Sequence, residues 1–184
     1  MARAGILRGL VWMAIIIAVV VVVIGPTELR YRLLTPAETA LAVDIAVEIG
    51  VDAALVLALI EAESSFDSEA LSSAGAVGLM QLMPGTAEEV ARKHDLSADF
   101  DLRDPETNLR LGCLLLRDLL ARYGGDTVSA LAAYNAGPRD VNGWRSGDSL
   151  TVEEIPYPTT RAYVEEILEL KQTFAGMLLE GELP

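Results

Sequence analysis

Fifteen apolar residues in a row, Leu10 to Ile24 (LVWMAIIIAVVVVVI), have neither the alternation of a strand nor the polar face of a surface helix. With Gly9 and Gly25 the apolar run is 17 residues, the short end of what a helix needs to cross about 30 Å of hydrocarbon. Arg3 and Arg8 precede it, which places residues 1–8 in the cytoplasm by the positive-inside tendency, although Arg30 and Arg32 beyond it reduce the asymmetry. The exit, VVVIGPTELR, lacks the small residues of a signal-peptide cleavage site. The run therefore reads as one retained N-terminal transmembrane helix at 9–25, with a juxtamembrane linker at 26–34.

From Thr35 the pattern becomes that of helices separated by turn residues. Thr35-Pro36-Ala37-Glu38 has the hydroxyl, proline and glutamate of a helix start, and the first helix is expected to end near Glu48, before Gly50. Asp52 caps AALVLALIEAES, whose apolar density makes it the most central helix. Residues 72–84 are glycine-rich and irregular, and Ala87 to Lys93 is a shorter helical stretch. Asp104-Pro105 opens a helix through Arg122, ended by Gly124-Gly125, and Asp126 caps another that stops at Ala136-Gly137-Pro138. Tyr163, Ile167, Leu170 and Phe174 recur at helical spacing between Thr160 and about Leu178. The class is mainly α, with at most a small ribbon after Phe66, in a single domain at 35–178 and a tail at 179–184.

Composition narrows the chemistry. Fourteen Lys and Arg against 27 Asp and Glu give a formal charge of −13, which opposes the phosphate attraction behind nucleic-acid binding. One cysteine, Cys113, and one histidine, His94, make no disulfide and no thiolate or imidazole metal cluster, so no metal and no cofactor is expected. Cys113, among leucines, reads as a small buried hydrophobe, and His94, in RKHDLS, as solvated. The acidic surface does not identify a recruiting envelope partner.

Glu63 is the informative carboxylate. It shares a helix face with Val56, Leu59 and Ile60, so it projects into apolar surroundings near a helix C-terminus. Both features disfavour its charged form and raise the carboxyl above the ordinary glutamate value, toward the range in which a general acid works near neutrality. Glu61, two residues away, points to about the opposite side, so only one of the two can line a given cleft.

Three segments then carry a specific resemblance: Glu63-Ser64-Ser65-Phe66; Ser72-Ser73-Ala74-Gly75-Ala76-Val77-Gly78-Leu79-Met80-Gln81-Leu82-Met83-Pro84; and Ala132-Ala133-Tyr134-Asn135-Ala136-Gly137-Pro138. A fourth is Ile155-Pro156-Tyr157 followed by Thr160-Arg161-Ala162-Tyr163-Val164. In this order and spacing, from Thr35 to Phe174, the chain closely resembles the family 1 lytic transglycosylases, the soluble-lytic-transglycosylase catalytic domain with a lysozyme-like fold.

The resemblance implies cleavage of the β-1,4 bond between N-acetylmuramic acid and N-acetylglucosamine in peptidoglycan, leaving a 1,6-anhydro ring. Glu63 is then acid first and base second. Ser72, Gly75, Gln81 and Met83 line the glycan groove, with Met80 in the core; Tyr134 hydrogen-bonds the acid beside Asn135, and Tyr163 lines the cleft. Asn135 is expected to organise its turn more than to touch substrate. Thr159 stands where family members often carry a glutamate. Peptidoglycan also fixes the topology, with the inner membrane as partner of residues 9–25 and the domain on the periplasmic side. A hydrolytic muramidase on the same scaffold needs a second placed carboxylate, for which Asp67 and Glu69 are the nearest spare acids in sequence, and a non-catalytic glycan-binding protein is the third reading.

Overall fold

The computed structural model describes residues 36–183. The expected anchor at 9–25 and its flanks, 1–8 and 26–34, lie outside the described residues; among those described, no helix is long and apolar enough to cross a membrane.

Each helix starts where a capping residue or proline lowers the cost of its first turn. Helix α1 (Pro36–Ile49) closes with Gly50 at φ 82°, whose N–H and that of Val51 bond back to Val47 (3.2 Å) and Ala46 (2.9 Å) in a Schellman arrangement. In α2 (Ala53–Ser64) the Asp52 carboxylate accepts from the N–H groups of Ala54 (2.9 Å) and Leu55 (3.3 Å). A short helix, α3 (Pro84–Lys93), follows the glycine-rich loop; Asp104 then caps α4 (Pro105–Arg122) and Asp126 caps α5 (Thr127–Ala136). Helix α6 (Pro138–Trp144) continues directly after Gly137, where the sequence pattern showed only a helix end. A 3₁₀ turn at Val152–Glu154 carries a Thr151/Glu154 capping box and leads to α7 (Pro158–Leu179), which begins two residues earlier than the apolar spacing indicated.

The most central helix is α2, as its composition required. Val56, Leu57, Leu59 and Ile60 are fully buried, and each contributes roughly 1.5–3 kcal/mol relative to exposure. Its partner is the long α7, running antiparallel: Lys171 pairs with Asp52 at the start of α2 (2.9 Å), while Tyr163 meets Glu63 at its end. Helix α5 packs against α4, α6 and α7 to complete the helical layer around this pair. The only strand-like pairings among the described residues are the isolated bridges Leu71–Val77 and Val77–Leu82, the small ribbon after Phe66.

Cys113 is buried as expected, and burial pushes its thiol up to about 12. His94 departs from expectation. It is not solvated: its ring sits between Asp118 (2.9 Å) and the Arg117 guanidinium (3.4 Å), because the end of α3 packs on α4.

Asn108 on α4 ties this scaffold to the glycine-rich loop. Fully buried, it accepts from the Met80 N–H (2.8 Å) and donates to the carbonyls of Val77 and Leu102 (2.9 Å each). Gly78, at φ 79°, and Gly112 leave the room this needs, since a Cβ at Gly78 would overlap Asn108 and one at Gly112 would overlap Met80. Asn108→Ala strands a buried N–H and two carbonyls, and urea unfolding is expected to show a loss of roughly 2–4 kcal/mol. A loss below about 0.5 kcal/mol would mean that the loop holds itself.

Candidate active site

Glu63 lies in the last turn of α2, half-buried, while Glu61 points away into the interior. Immediately beyond it the chain takes two successive left-handed residues, Ser65 (φ 50°) and Phe66 (φ 63°), conformations that cost a non-glycine residue energy. Burial of the Phe66 ring against Phe174 offsets that strain, with ring centroids 6.2 Å apart. The turn throws the following loop back across the end of α2. Three side chains from three helices then grip its backbone: the Ser64 hydroxyl reaches the Leu79 carbonyl (2.8 Å), the Tyr134 hydroxyl donates to the Met80 carbonyl (2.8 Å), and Asn108 holds residues 77 and 80.

Within the loop, the Ser72 hydroxyl accepts from the Ala76 N–H (2.9 Å) and Gly75 turns at φ 92°, forming a tight bend. Gln81, itself left-handed at φ 46°, spends its amide NH2 on the carbonyls of Ala70 (3.2 Å) and Gly78 (3.0 Å), so its side-chain oxygen is the atom with which it can meet a ligand. Met80 is fully buried, whereas Met83 is 44% exposed at the start of α3.

The phenol on the acid is Tyr163. Its hydroxyl donates to Glu63 Oε1 at 2.5 Å across a hundred residues of sequence, whereas Tyr134, expected in that role, is turned to the Met80 carbonyl. The fourth motif explains why α7 presents Tyr163 here. Arg161 donates twice to the Ile155 carbonyl (3.1 and 2.6 Å), and the Thr160 hydroxyl donates to Asn135 (2.8 Å), fixing the start of α7 against the end of α5. The side-chain oxygen of Asn135 is thus committed to the Thr160 contact, on an exposed residue. Asp67 and Glu69 are exposed and engaged elsewhere: Asp67 accepts from the Glu69 N–H (2.9 Å), and Glu69 faces Arg103 (3.4 Å).

Burial raises the Glu63 carboxyl above its ordinary 4.5, and the Tyr163 hydrogen bond opposes part of that rise. Both phenols are held well above their ordinary range, by burial first and by the Glu63 charge second, so Tyr163 stays a donor. With Oε1 occupied by that donor, Oε2 is left to carry the carboxyl proton. The carboxylate of Glu166, one turn along α7, also acts on the Tyr163 phenol. Sequence reading missed Asn108, an amide three and four residues before Leu111 and Gly112 on the buried face of α4.

A carboxyl raised on folding binds its proton more tightly in the native state, so its ionisation destabilises the fold as pH climbs above 4.5. Glu63→Gln is therefore expected to match the parent in acid and to exceed it in melting temperature at neutral pH, with the gain developing between 4.5 and the raised native value. A uniform gain at every pH would show that ionisation is not its source.

Comparison with known proteins places these residues in a family. Residues 42–152 match the family model of the Transglycosylase SLT domain. The soluble lytic murein transglycosylase of Escherichia coli is 36% identical over 121 residues, 61% of this chain and 19% of that protein. Membrane-bound lytic murein transglycosylase C of Photorhabdus laumondii is 31% identical over 140 residues, 70% of this chain and 39% of that protein. Among solved structures, an inactive mutant of the lytic transglycosylase Slt from Pseudomonas aeruginosa superposes with a TM-score of 0.71 at 36% identity, covering 76% of this chain and 24% of that one. The 70-kDa soluble lytic transglycosylase in complex with bulgecin A gives the same TM-score at 28% identity and the same coverages. The chain spans about a fifth of the length of the first of these curated relatives. It belongs to the transglycosylase SLT domain family.

Proposed function

We propose that the protein is a peptidoglycan lytic transglycosylase, cleaving the β-1,4 bond between N-acetylmuramic acid and N-acetylglucosamine with Glu63 as its single acid and base. The observation that carries the reading is a carboxyl buried enough to hold a proton, pinned through one oxygen by Tyr163 and left with the other free to donate it. Protonation of the glycosidic oxygen from Oε2 lets the leaving sugar depart as an alcohol. The carboxylate so formed then takes the proton of the muramic C6 hydroxyl as that oxygen closes on C1, and the acid is restored without water. Tyr163 keeps Oε1 as an acceptor throughout, and burial makes return of the proton to Glu63 favourable.

A one-carboxylate cycle suits the surroundings. Two-carboxylate hydrolysis needs a partner at about 5–5.5 Å for retention or about 6.5–9.5 Å for inversion. Asp67 and Glu69, the nearest acids in sequence beyond Glu61, are engaged on the exposed loop, and Glu61 points into the interior. Ser72, Gly75, Gln81 and Met83 form the groove wall in this reading. Tyr134 acts behind it, holding the Met80 carbonyl, and the exposed Asn135 holds the start of α7 through Thr160. The placement of the enzyme also belongs to the proposal: residues 9–25 anchor it in the inner membrane with the domain on the periplasmic side, supported by the apolar run and by Arg3 and Arg8 before it.

Mass spectrometry of muropeptides released from purified peptidoglycan tests the reaction. The expected products are anhydro-muropeptides about 18 Da lighter than hydrated ones, absent with Glu63→Gln. Full-mass reducing ends would mean a muramidase, and no release would mean a binding protein. Tyr163→Phe is expected to lower kcat by about 10- to 100-fold. Because the phenol lowers the carboxyl, the variant's alkaline limb in the pH–rate profile moves upward. A fall in kcat with an unmoved limb would assign Tyr163 to substrate contact instead.

A further inference from the structure

Apolar burial holds two helices together without fixing how one is turned against the other, because the force has no direction. Helix α7 packs on α2 in this way, with Val164, Ile167 and Phe174 fully buried. The Tyr163 hydroxyl nonetheless meets Glu63 Oε1 at 2.5 Å, and a displacement of about 1 Å would take it beyond hydrogen-bond range. A directional contact close to Tyr163 must therefore set the rotation of α7.

The Lys171–Asp52 pair (2.9 Å) lies more than two turns further along the helix. Arg161 is nearer, but its acceptor, the Ile155 carbonyl, belongs to the turn that leads into α7 and moves with it. Thr160 is different. One turn before Tyr163, its hydroxyl donates to Asn135 Oδ1 at 2.8 Å and so ties the start of α7 to another helix, α5. That reference point is itself fixed, since the neighbouring Tyr134 donates to the Met80 carbonyl (2.8 Å) of the glycine-rich loop. Burial makes the bond one-sided: Thr160 is 2% exposed, and a buried hydroxyl without a partner is penalised, whereas the exposed Asn135 can return to water.

We propose that Thr160 is a positioning residue for the acid: through Asn135 it holds the start of α7 at the rotation that lays the Tyr163 hydroxyl on Glu63. This rests on the reading of Glu63 as the acid of a peptidoglycan-cleaving enzyme. Without the Thr160 bond the first turn of α7 is free to rotate and the phenol retreats from Oε1, so the carboxyl loses the donor that opposes burial. Two phenols, Tyr163 on α7 and Tyr134 on α5, interact with the Glu63 charge; Tyr134 is occupied by the Met80 carbonyl, and the titration of Glu63 therefore reports on Tyr163.

The Glu63 midpoint by carbon-13 NMR, and kcat and KM on purified peptidoglycan, are compared for the full-length chain, Thr160→Val, Thr160→Ser and Asn135→Ala. Thr160→Val keeps the branched shape and removes the donor. It is expected to raise the midpoint and to lower kcat by about three- to ten-fold at unchanged KM, less than Tyr163→Phe because the phenol stays nearby. Thr160→Ser should restore both quantities. Asn135→Ala should reproduce the changes from an exposed position, and it carries the same test if Thr160→Val does not fold. In a Tyr163→Phe background Thr160→Val should move neither quantity further. An unmoved midpoint, a rise in KM alone, or an effect that adds to that of Tyr163→Phe overturns the positioning role. A midpoint that moves as expected in a chain that cleaves no peptidoglycan supports the positioning role and overturns the enzymatic reading instead.

Discussion

The grip of Ser64, Asn108 and Tyr134 on the backbone of residues 77–80 is the constraint from which the rest of the site follows. Each reaches from a different helix, α2, α4 or α5, to a carbonyl or N–H of one short loop, at 2.8–2.9 Å. A buried backbone group left unpaired costs about 1–3 kcal/mol, so the loop and the three helices settle together or not at all. Gly78 and Gly112 are glycines because the space a side chain would use is already taken by Asn108 and Met80. The Ser65–Phe66 turn is tolerated for the same reason, since the loop it launches is paired at its far end and Phe66 is buried.

Glu63 sits at the balance point of two opposing effects. Burial penalises its charge, and the Tyr163 hydrogen bond favours it, with burial the larger. A carboxyl that was only buried would hold its proton too firmly to give it up, and one that was only hydrogen-bonded would lose it near the ordinary carboxylate value. The antiparallel contact of α2 with α7 supplies both effects, because it covers the acid with apolar surface and delivers the phenol. The fold therefore accepts an ionisation that weakens it as pH rises, and that cost is the counterpart of a usable proton.

Local chemistry explains which parts could be read in advance. Asp52, Asp104 and Asp126 announce their helices because capping depends on neighbours two and three residues away. The burial of Glu63 follows from its spacing to Leu59 and Ile60 on the same helix. By contrast, α6 has seven residues after a glycine–proline stop, too few to show a period. The choice between Tyr134 and Tyr163 as partner of the acid depends on how α5 and α7 rotate against α2, which no local pattern contains. His94 was misjudged on the same grounds: its polar neighbours in sequence give no sign of Asp118, 24 residues away on α4. Asn108 acts through backbone partners on the glycine-rich loop, and its surroundings exist only once the helices have packed.

The account stands on a single carboxyl that keeps its proton because it is buried, in spite of a phenol that draws the other way. Carbon-13 NMR of the folded protein labelled at its glutamate carboxyl groups, with Glu63 assigned by its absence in Glu63→Gln, measures this directly. The midpoint for Glu63 should lie clearly above 4.5 and above those of the exposed glutamates in the same spectrum. A midpoint at or below 4.5 would mean that the Tyr163 bond outweighs burial, and that the resting site holds a carboxylate instead of the acid the chemistry requires.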